Sequence, residues 1–102
     1  MKEKLVRDKI IEMIKESGRE VEFYVADEKE YWERLKEKLQ EEVDEVLEEE
    51  NILEEIADVL EVLHSIANFK NIDFQEIEKK RIQKKEERGS FEKKIILKNI
   101  LK

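Results

Sequence analysis

Residues 32–69, WERLKEKLQEEVDEVLEEENILEEIADVLEVLHSIANF, decide the fold because they contain two runs of helical periodicity with one break between them. In the first run the apolar residues recur every three or four positions, namely Trp32, Leu35, Leu39, Val43 and Val46. Such spacing places them on one side of a helix. Asn51 marks the break before the second run. The stretch therefore predicts two successive helices that pack as an antiparallel hairpin.

Outside this stretch the sequence predicts two further helices and several defined helix ends. We expect four helices in all, over residues 6–15, about 28–49, from the break at 50 and 51 to about 69, and 74 to about 87. Ser17-Gly18 and Arg88-Gly89-Ser90 are typical of helix ends, because glycine accepts the left-handed backbone that follows a last turn. Asp27, Asn51 and Asp73 each precede a Glu by three residues, which is the spacing of a capping box.

Two short runs have β-prone composition. Residues 21–25 and residues 94–98 are rich in branched or aromatic side chains and could pair as a small two-stranded sheet. With that option included, we predict a mainly α protein of the four-helix antiparallel bundle type. Its length of 102 residues fits a single domain spanning residues 1–102.

Composition and charge exclude several functional classes. The chain has a net charge of -7, which argues against binding a nucleic-acid polymer through its phosphate backbone. It has no cysteine, so disulfides and thiolate zinc sites are ruled out. The start lacks the apolar segment of a signal peptide, and no apolar run reaches membrane-spanning length. We therefore expect a cytoplasmic protein with no membrane partner.

Two pairs of acids stand out on the predicted hairpin. Residues three apart project from the same side of a helix, and this spacing joins Glu42 to Glu45 and Glu55 to Asp58. Glu55 falls in the middle of an apolar face, flanked by Val62 and Ile66 in helical projection. A lone charge in such a position is very costly, so this carboxylate must be paired, protonated or bound to a metal.

The two acid pairs also match in height along the hairpin. Counted from Asn51, their levels differ by only about 3 Å at a rise of 1.5 Å per residue. Four carboxylates at one level suit Mg²⁺, with Mn²⁺ as a second choice. The chain has 28 acidic residues, so such pairs also arise by chance. The alternative is thus a noncatalytic helical module for interaction or oligomerisation.

Other side chains near the acids have two interpretations each. Lys38 could reach a phosphate, or it could form an ion pair with Glu42 one turn later. Glu41 could act as a base on water or support the metal ligands. Trp32 and Tyr24 could stack on a base, although we favour a core position for Trp32. His64 lies opposite Glu55 in projection, so we expect it at the surface or in an interface and not as a metal ligand.

The ordered motifs resemble a known family. Glu41-Glu42-x-x-Glu45 followed by Glu55-x-x-Asp58 resembles the signature of the all-α nucleoside triphosphate pyrophosphohydrolases, the MazG-type family. Further features resemble its small single-domain, phosphoribosyl-ATP pyrophosphohydrolase-like branch, namely residues 4–10 (KLVRDKI), 58–62 (DVLEV) and 88–91 (RGSF). Ile11 stands where that branch usually has Pro, and Ser90 where it has a second Gly.

The resemblance implies an activity and a set of residues. It implies Mg²⁺-dependent cleavage of a nucleoside triphosphate to the monophosphate and pyrophosphate, by a homodimer or homotetramer. Glu42, Glu45, Glu55 and Asp58 would hold the metal, while Glu41 or Glu61 would act on the attacking water. Phosphate or loop contacts would come from basic residues, namely Lys38, Arg7, Lys9 and Arg88, with Lys84 a weaker candidate. A member that binds nucleotides without cleaving them is a further alternative.

Overall fold

Four α-helices make up the regular structure of the protein. A computed structural model describes residues 2–101, and its helices are α1 (Ile10–Glu16), α2 (Glu28–Leu47), α3 (Ile52–Phe69) and α4 (Phe74–Arg88). The prediction of a mainly α protein with four helices is confirmed. The bounds of α3 agree with the prediction, α2 ends two residues earlier than expected, and α4 ends one residue later.

The helix ends follow local chemistry only in part. The Asp27 side chain accepts a hydrogen bond from the backbone N–H of Glu30 at 2.8 Å, as the capping spacing predicts. Asp73 instead caps the N–H of Gln75, at 2.9 Å. Asn51 makes no side-chain cap, so the third expected cap is wrong. Gly18, with φ of 85°, occupies the left-handed position after α1 as predicted.

Helices α2 and α3 form the hairpin that the central stretch predicts. A connection of only four residues, 48–51, separates them. At the opposite end, the Trp32 ring stacks on Phe69 with 5.8 Å between ring centroids and 5° between planes. Contact between the start of α2 and the end of α3 fixes an antiparallel arrangement. Between these two ends, Leu35 and Val62 are buried.

The N-terminal segment differs from the predicted first helix. This helix begins at Ile10, not Val6, and residues 2–9 form an irregular arm. Leu5 and Val6 are half-buried in it. Apolar spacing alone predicted a helix here, but no cap precedes Val6, and the arm instead buries these two side chains outside any helix.

The predicted β pairing is wrong for the described residues. Neither residues 21–25 nor residues 94–98 are in a strand, and the structure has no strand between residues 2 and 101. Within these runs Val25 is 88% exposed and Ile96 is 84% exposed. Branched and aromatic residues favour strands through packing on a pleated, half-buried surface, and neither run has such a surface.

The chain divides into two units, one up to Asn71 and the other from Ile72 onwards. The first contains α1, α2 and α3. The second contains α4, which Gly89 follows with φ of 84°, and residues 89–101, which have no regular structure. The single domain predicted over residues 1–102 stays a prediction.

One face of α3 exposes large apolar side chains. They recur at spacings of three and four residues and are 38–83% exposed, namely Leu53, Ile56, Leu60 and Leu63. We call these four residues the α3 stripe. None of the helices in residues 2–101 combines the length and apolar character needed to cross a membrane. The predicted cytoplasmic location stays a prediction.

Leu35 should dominate the stability of the hairpin because it is only 1% exposed. We expect Leu35→Ala to lower the free energy of unfolding by about 2–5 kcal/mol, since the lost burial and the residual cavity both count. Urea unfolding measures this change. The control Leu47→Ala, at a residue 72% exposed, should stay within about 0.5 kcal/mol of the wild type. Equal losses in the two variants would contradict the assignment of the core.

Candidate metal centre and adjoining cleft

Four carboxylates from the two hairpin helices converge at one point. Glu42 and Glu45 lie one turn apart on α2, and Glu55 and Asp58 do the same on α3. One oxygen from each of the four lies within 4.8 Å of the others. The level of each pair follows from its distance to the 48–51 connection, as the sequence predicts. We call these four residues the acid cluster.

The acid cluster contains carboxylate oxygens that are buried without a partner. Glu42 is only 7% exposed, and its Oε2 accepts no hydrogen bond. The Oε2 atom of Glu55 is buried and unpaired in the same way. Leaving such oxygens unsatisfied costs free energy, and more so when the group is charged. The site therefore calls for a cation or a proton at the point where the oxygens meet.

The pKa values reflect this crowding. Burial raises the pKa of Glu42 above its ordinary value, and the adjoining Glu45 carboxyl raises it further. The pKa of Glu45 is raised mainly by a hydrogen bond with Glu55. Two carboxyl groups can share such a bond only if one carries a proton, because a carboxylate has no donor. Without a cation, Glu42 and Glu45 thus hold protons more tightly than isolated carboxyls do.

Basic side chains surround the acid cluster without reaching the unpaired oxygens. Arg7 donates to Oδ1 of Asp58 at 2.7 Å. The ammonium of Lys38 lies 3.5 Å from Oε1 of Glu42 and 3.4 Å from Glu41. The predicted ion pair between Lys38 and Glu42 is therefore present. Glu41 also approaches Lys4 at 4.0 Å, and it lies outside the group of four.

A cleft of about 390 Å³ adjoins the acid cluster. Its polar lining includes five residues that the sequence picked out, namely Arg7, Lys9, Lys38, Glu42 and Glu61. Its apolar lining comes from the arm, α1 and the hairpin, namely Leu5, Val6, Ile10, Met13, Tyr31, Leu35 and Val62. An apolar wall beside convergent charged groups is typical of a small-molecule site.

The sequence did not indicate most of this lining. Leu5 and Val6 belong to the arm, which the apolar spacing had assigned in part to a helix. Tyr31 and Ser65 lie on α2 and α3, respectively, and carry no motif. Tyr31 directly precedes Trp32, the first apolar residue of the α2 stripe. This position is the single sequence signal that could have indicated that Tyr31 lines the cleft.

Several candidates from the sequence are not among the residues that line the cleft. Trp32 is half-buried against Phe69, with the Lys70 ammonium 4.2 Å from its ring centroid. The Tyr24 hydroxyl donates to Glu30 at 2.5 Å. His64 is exposed, as expected. The last candidates, Lys84 and Arg88, belong to α4 in the second unit.

The donor set fits a hard divalent cation. Four carboxylates supply only oxygen ligands, and two of these residues, Glu42 and Glu55, each have a buried oxygen without a hydrogen-bond partner. Hard oxygen donors suit Mg²⁺, Mn²⁺ or Ca²⁺ rather than softer metals. The acid cluster could thus hold a metal ion. In comparisons with protein-family models, curated proteins and solved structures, the chain gives no significant match. The resemblance to the MazG-type family stays a prediction.

The raised pKa values predict how pH affects the metal-free protein. Glu42 and Glu45 hold protons more tightly in the folded chain than in the unfolded one. Their stabilising contribution is full below the unfolded carboxyl pKa of about 4.3 and is lost as pH rises through the raised values. In EDTA, the unfolding midpoint should therefore fall as the pH rises from the unfolded carboxyl pKa through the raised pKa values of Glu42 and Glu45.

Two variants test the origin of this pH effect. Glu42→Gln should reduce the fall in the unfolding midpoint because it removes one of the crowded charges. Glu54→Gln is the control, since Glu54 is exposed on the same hairpin and lies outside the acid cluster. An unchanged pH dependence in Glu42→Gln would show that the fall arises elsewhere.

Proposed function

We propose that this protein is a Mg²⁺-dependent nucleotide pyrophosphohydrolase that cleaves a nucleoside triphosphate to the monophosphate and pyrophosphate. The observation that carries the proposal is the acid cluster with its two buried, unpaired oxygens. The adjoining cleft supports it, because cationic side chains and an apolar wall suit the phosphates and the uncharged part of a nucleotide. The nucleotide could be canonical, noncanonical or related to phosphoribosyl-ATP.

In this proposal the acid cluster binds the metal through Glu42, Glu45, Glu55 and Asp58. A bound Mg²⁺ or Mn²⁺ would offset phosphate charge and increase the acidity of a coordinated water. Lys38 and Lys9 line the cleft at positions suited to phosphate oxygens. Water attacks the α-phosphorus, the bond from that phosphorus to the bridging oxygen breaks, and pyrophosphate leaves.

The contacts of Glu61 and Glu41 suggest which of them accepts the proton from water. Glu61 lines the cleft and forms none of the described ion pairs. Glu41 is engaged by Lys38 at 3.4 Å and lies 4.0 Å from Lys4. We therefore assign the general base to Glu61 and a supporting role beside Lys38 to Glu41. Arg88 stays a predicted phosphate contact from the second unit.

A panel of nucleoside triphosphates with Mg²⁺ tests the activity directly. The wild type should release pyrophosphate, and EDTA should abolish release. Glu55→Gln should lose at least about 100-fold in turnover, because even groups outside a metal's ligand set typically contribute about 10- to 100-fold. The control Glu54→Gln, an exposed neighbour, should retain activity. Undiminished turnover of Glu55→Gln would refute the assigned site.

The competing proposal is a noncatalytic helical module, and the α3 stripe favours it. That module has no use for a metal, so Mg²⁺ or Mn²⁺ would leave its thermal unfolding unchanged. In the enzyme, the metal binds the folded chain and raises the unfolding midpoint. A divergent member that binds nucleotide without cleaving it would share this stabilisation but release no pyrophosphate. Metal-dependent melting and pyrophosphate release together distinguish the three proposals.

Self-association through the α3 stripe is compatible with either proposal. The stripe residues Leu53, Ile56, Leu60 and Leu63 are spaced identically in both chain directions. In an antiparallel pair of α3 helices, Leu53 would face Leu63, and Ile56 would face Leu60. Such self-complementarity is what a two-fold interface needs. The predicted homodimer or homotetramer is supported by this spacing, and exposed apolar patches commonly mark interfaces.

We expect Leu60→Glu to shift the protein towards the monomer, because it places two like charges at the centre of the paired stripes. Light scattering after size-exclusion chromatography measures the mass. Leu47→Glu changes an exposed apolar residue outside the stripe and should leave the mass unchanged. A wild type that is monomeric at every accessible concentration would contradict self-association.

A further inference from the structure

The arm is held to the hairpin by partly exposed ion pairs and by half-buried apolar side chains. Arg7 pairs with Asp58 on α3 at 2.7 Å, and the two side chains are 57% and 38% exposed. Lys4 approaches Glu41 on α2 at 4.0 Å. Between them, Leu5 and Val6 are half-buried. The apolar residues can hold the arm in place while the long Arg7 side chain moves independently.

Arg7 therefore contacts the acid cluster only at its edge. Its guanidinium contacts Asp58, which is one of the four carboxylates whose oxygens meet within 4.8 Å. The guanidinium pairs with Asp58 and forms no ion pair with the other three carboxylates. The buried oxygens of Glu42 and Glu55 accordingly remain unpaired beside it. Arg7 offsets part of the cluster's charge without satisfying its interior.

A second cation in the cleft behaves differently. Lys38 is only 18% exposed and lies 3.5 Å from Glu42, whose side chain is 9% exposed. Separating a pair that is mostly buried is costly. Exposed pairs contribute little, because water and salt can replace the partner at small cost. Of these two cations, Arg7 is the one that a competing ion can displace easily.

We propose that Arg7 is an internal counter-cation that a divalent metal displaces from Asp58 on binding. The inference rests on the proposed metal site. Displacement frees all the carboxylate oxygens of Asp58 for the metal and leaves the guanidinium beside a cleft that it already lines. Metal binding then has two linked effects, since it fills the acid cluster and releases a cationic group that an anion can bind.

Calorimetric titration with Mn²⁺ at low ionic strength tests the displacement. Arg7→Gln should bind Mn²⁺ more tightly by up to about fivefold, which is the strength of an exposed pair. Lys9→Gln is the matched control, because it removes the same charge from the same arm and lines the same cleft. Lys9→Gln should change the affinity less. Equal changes in the two variants, or weaker binding by Arg7→Gln, would overturn the proposal.

Thermal unfolding provides a readout that does not need turnover. In EDTA, Arg7→Gln should melt below the wild type, since Asp58 loses its partner. At saturating Mn²⁺ that deficit should disappear, because the pair is already broken in the wild type. A melting deficit that persists in Mn²⁺ would overturn the displacement of Arg7 but not the metal site itself. If neither protein binds Mn²⁺, the proposed metal site fails as well, and the titration shows which of the two has occurred.

Discussion

Repulsion among the carboxylates of the acid cluster is the constraint that the packing of the hairpin must overcome. Four acids with oxygens within 4.8 Å push α2 and α3 apart near the 48–51 connection. The structure opposes this at three levels. The 48–51 connection ties one end, the Trp32–Phe69 stack closes the other, and burial of Leu35 and Val62 joins the helices between them. Apolar packing therefore maintains an electrostatic arrangement that is unfavourable without a cation.

The distribution of positive charge around the cluster is equally informative. Arg7 and Lys38 each contact one carboxylate at its periphery, and neither reaches the unpaired oxygens of Glu42 and Glu55. A protein that needed only neutral packing here could replace a whole buried ion pair by apolar residues, often without losing stability. The four acids and the peripheral cations together form a site whose charge is only partly compensated and which an added cation could complete.

The sequence predicted the hairpin and the acid cluster well because both follow from helical periodicity. Glu55 was recognisable since its neighbours in projection are apolar, and the break at Asn51 set the common height of the two pairs. The arm was not predictable in this way. Leu5 and Val6 have the spacing of a helix, but their burial outside one is a tertiary effect. The β pairing predicted for residues 21–25 and 94–98 was wrong for a related reason, because strand preference requires a partner surface.

The short connection at residues 48–51 has a consequence for how the protein is made. All four acids fall within seventeen consecutive residues, from Glu42 to Asp58. Closing so short a segment costs little chain entropy, and helical hairpins with local contacts form early in folding. The cluster can therefore assemble while the rest of the chain is still unfolded or emerging from the ribosome. A cation that binds this segment would act on the nascent hairpin, so that the site helps to complete the fold that carries it.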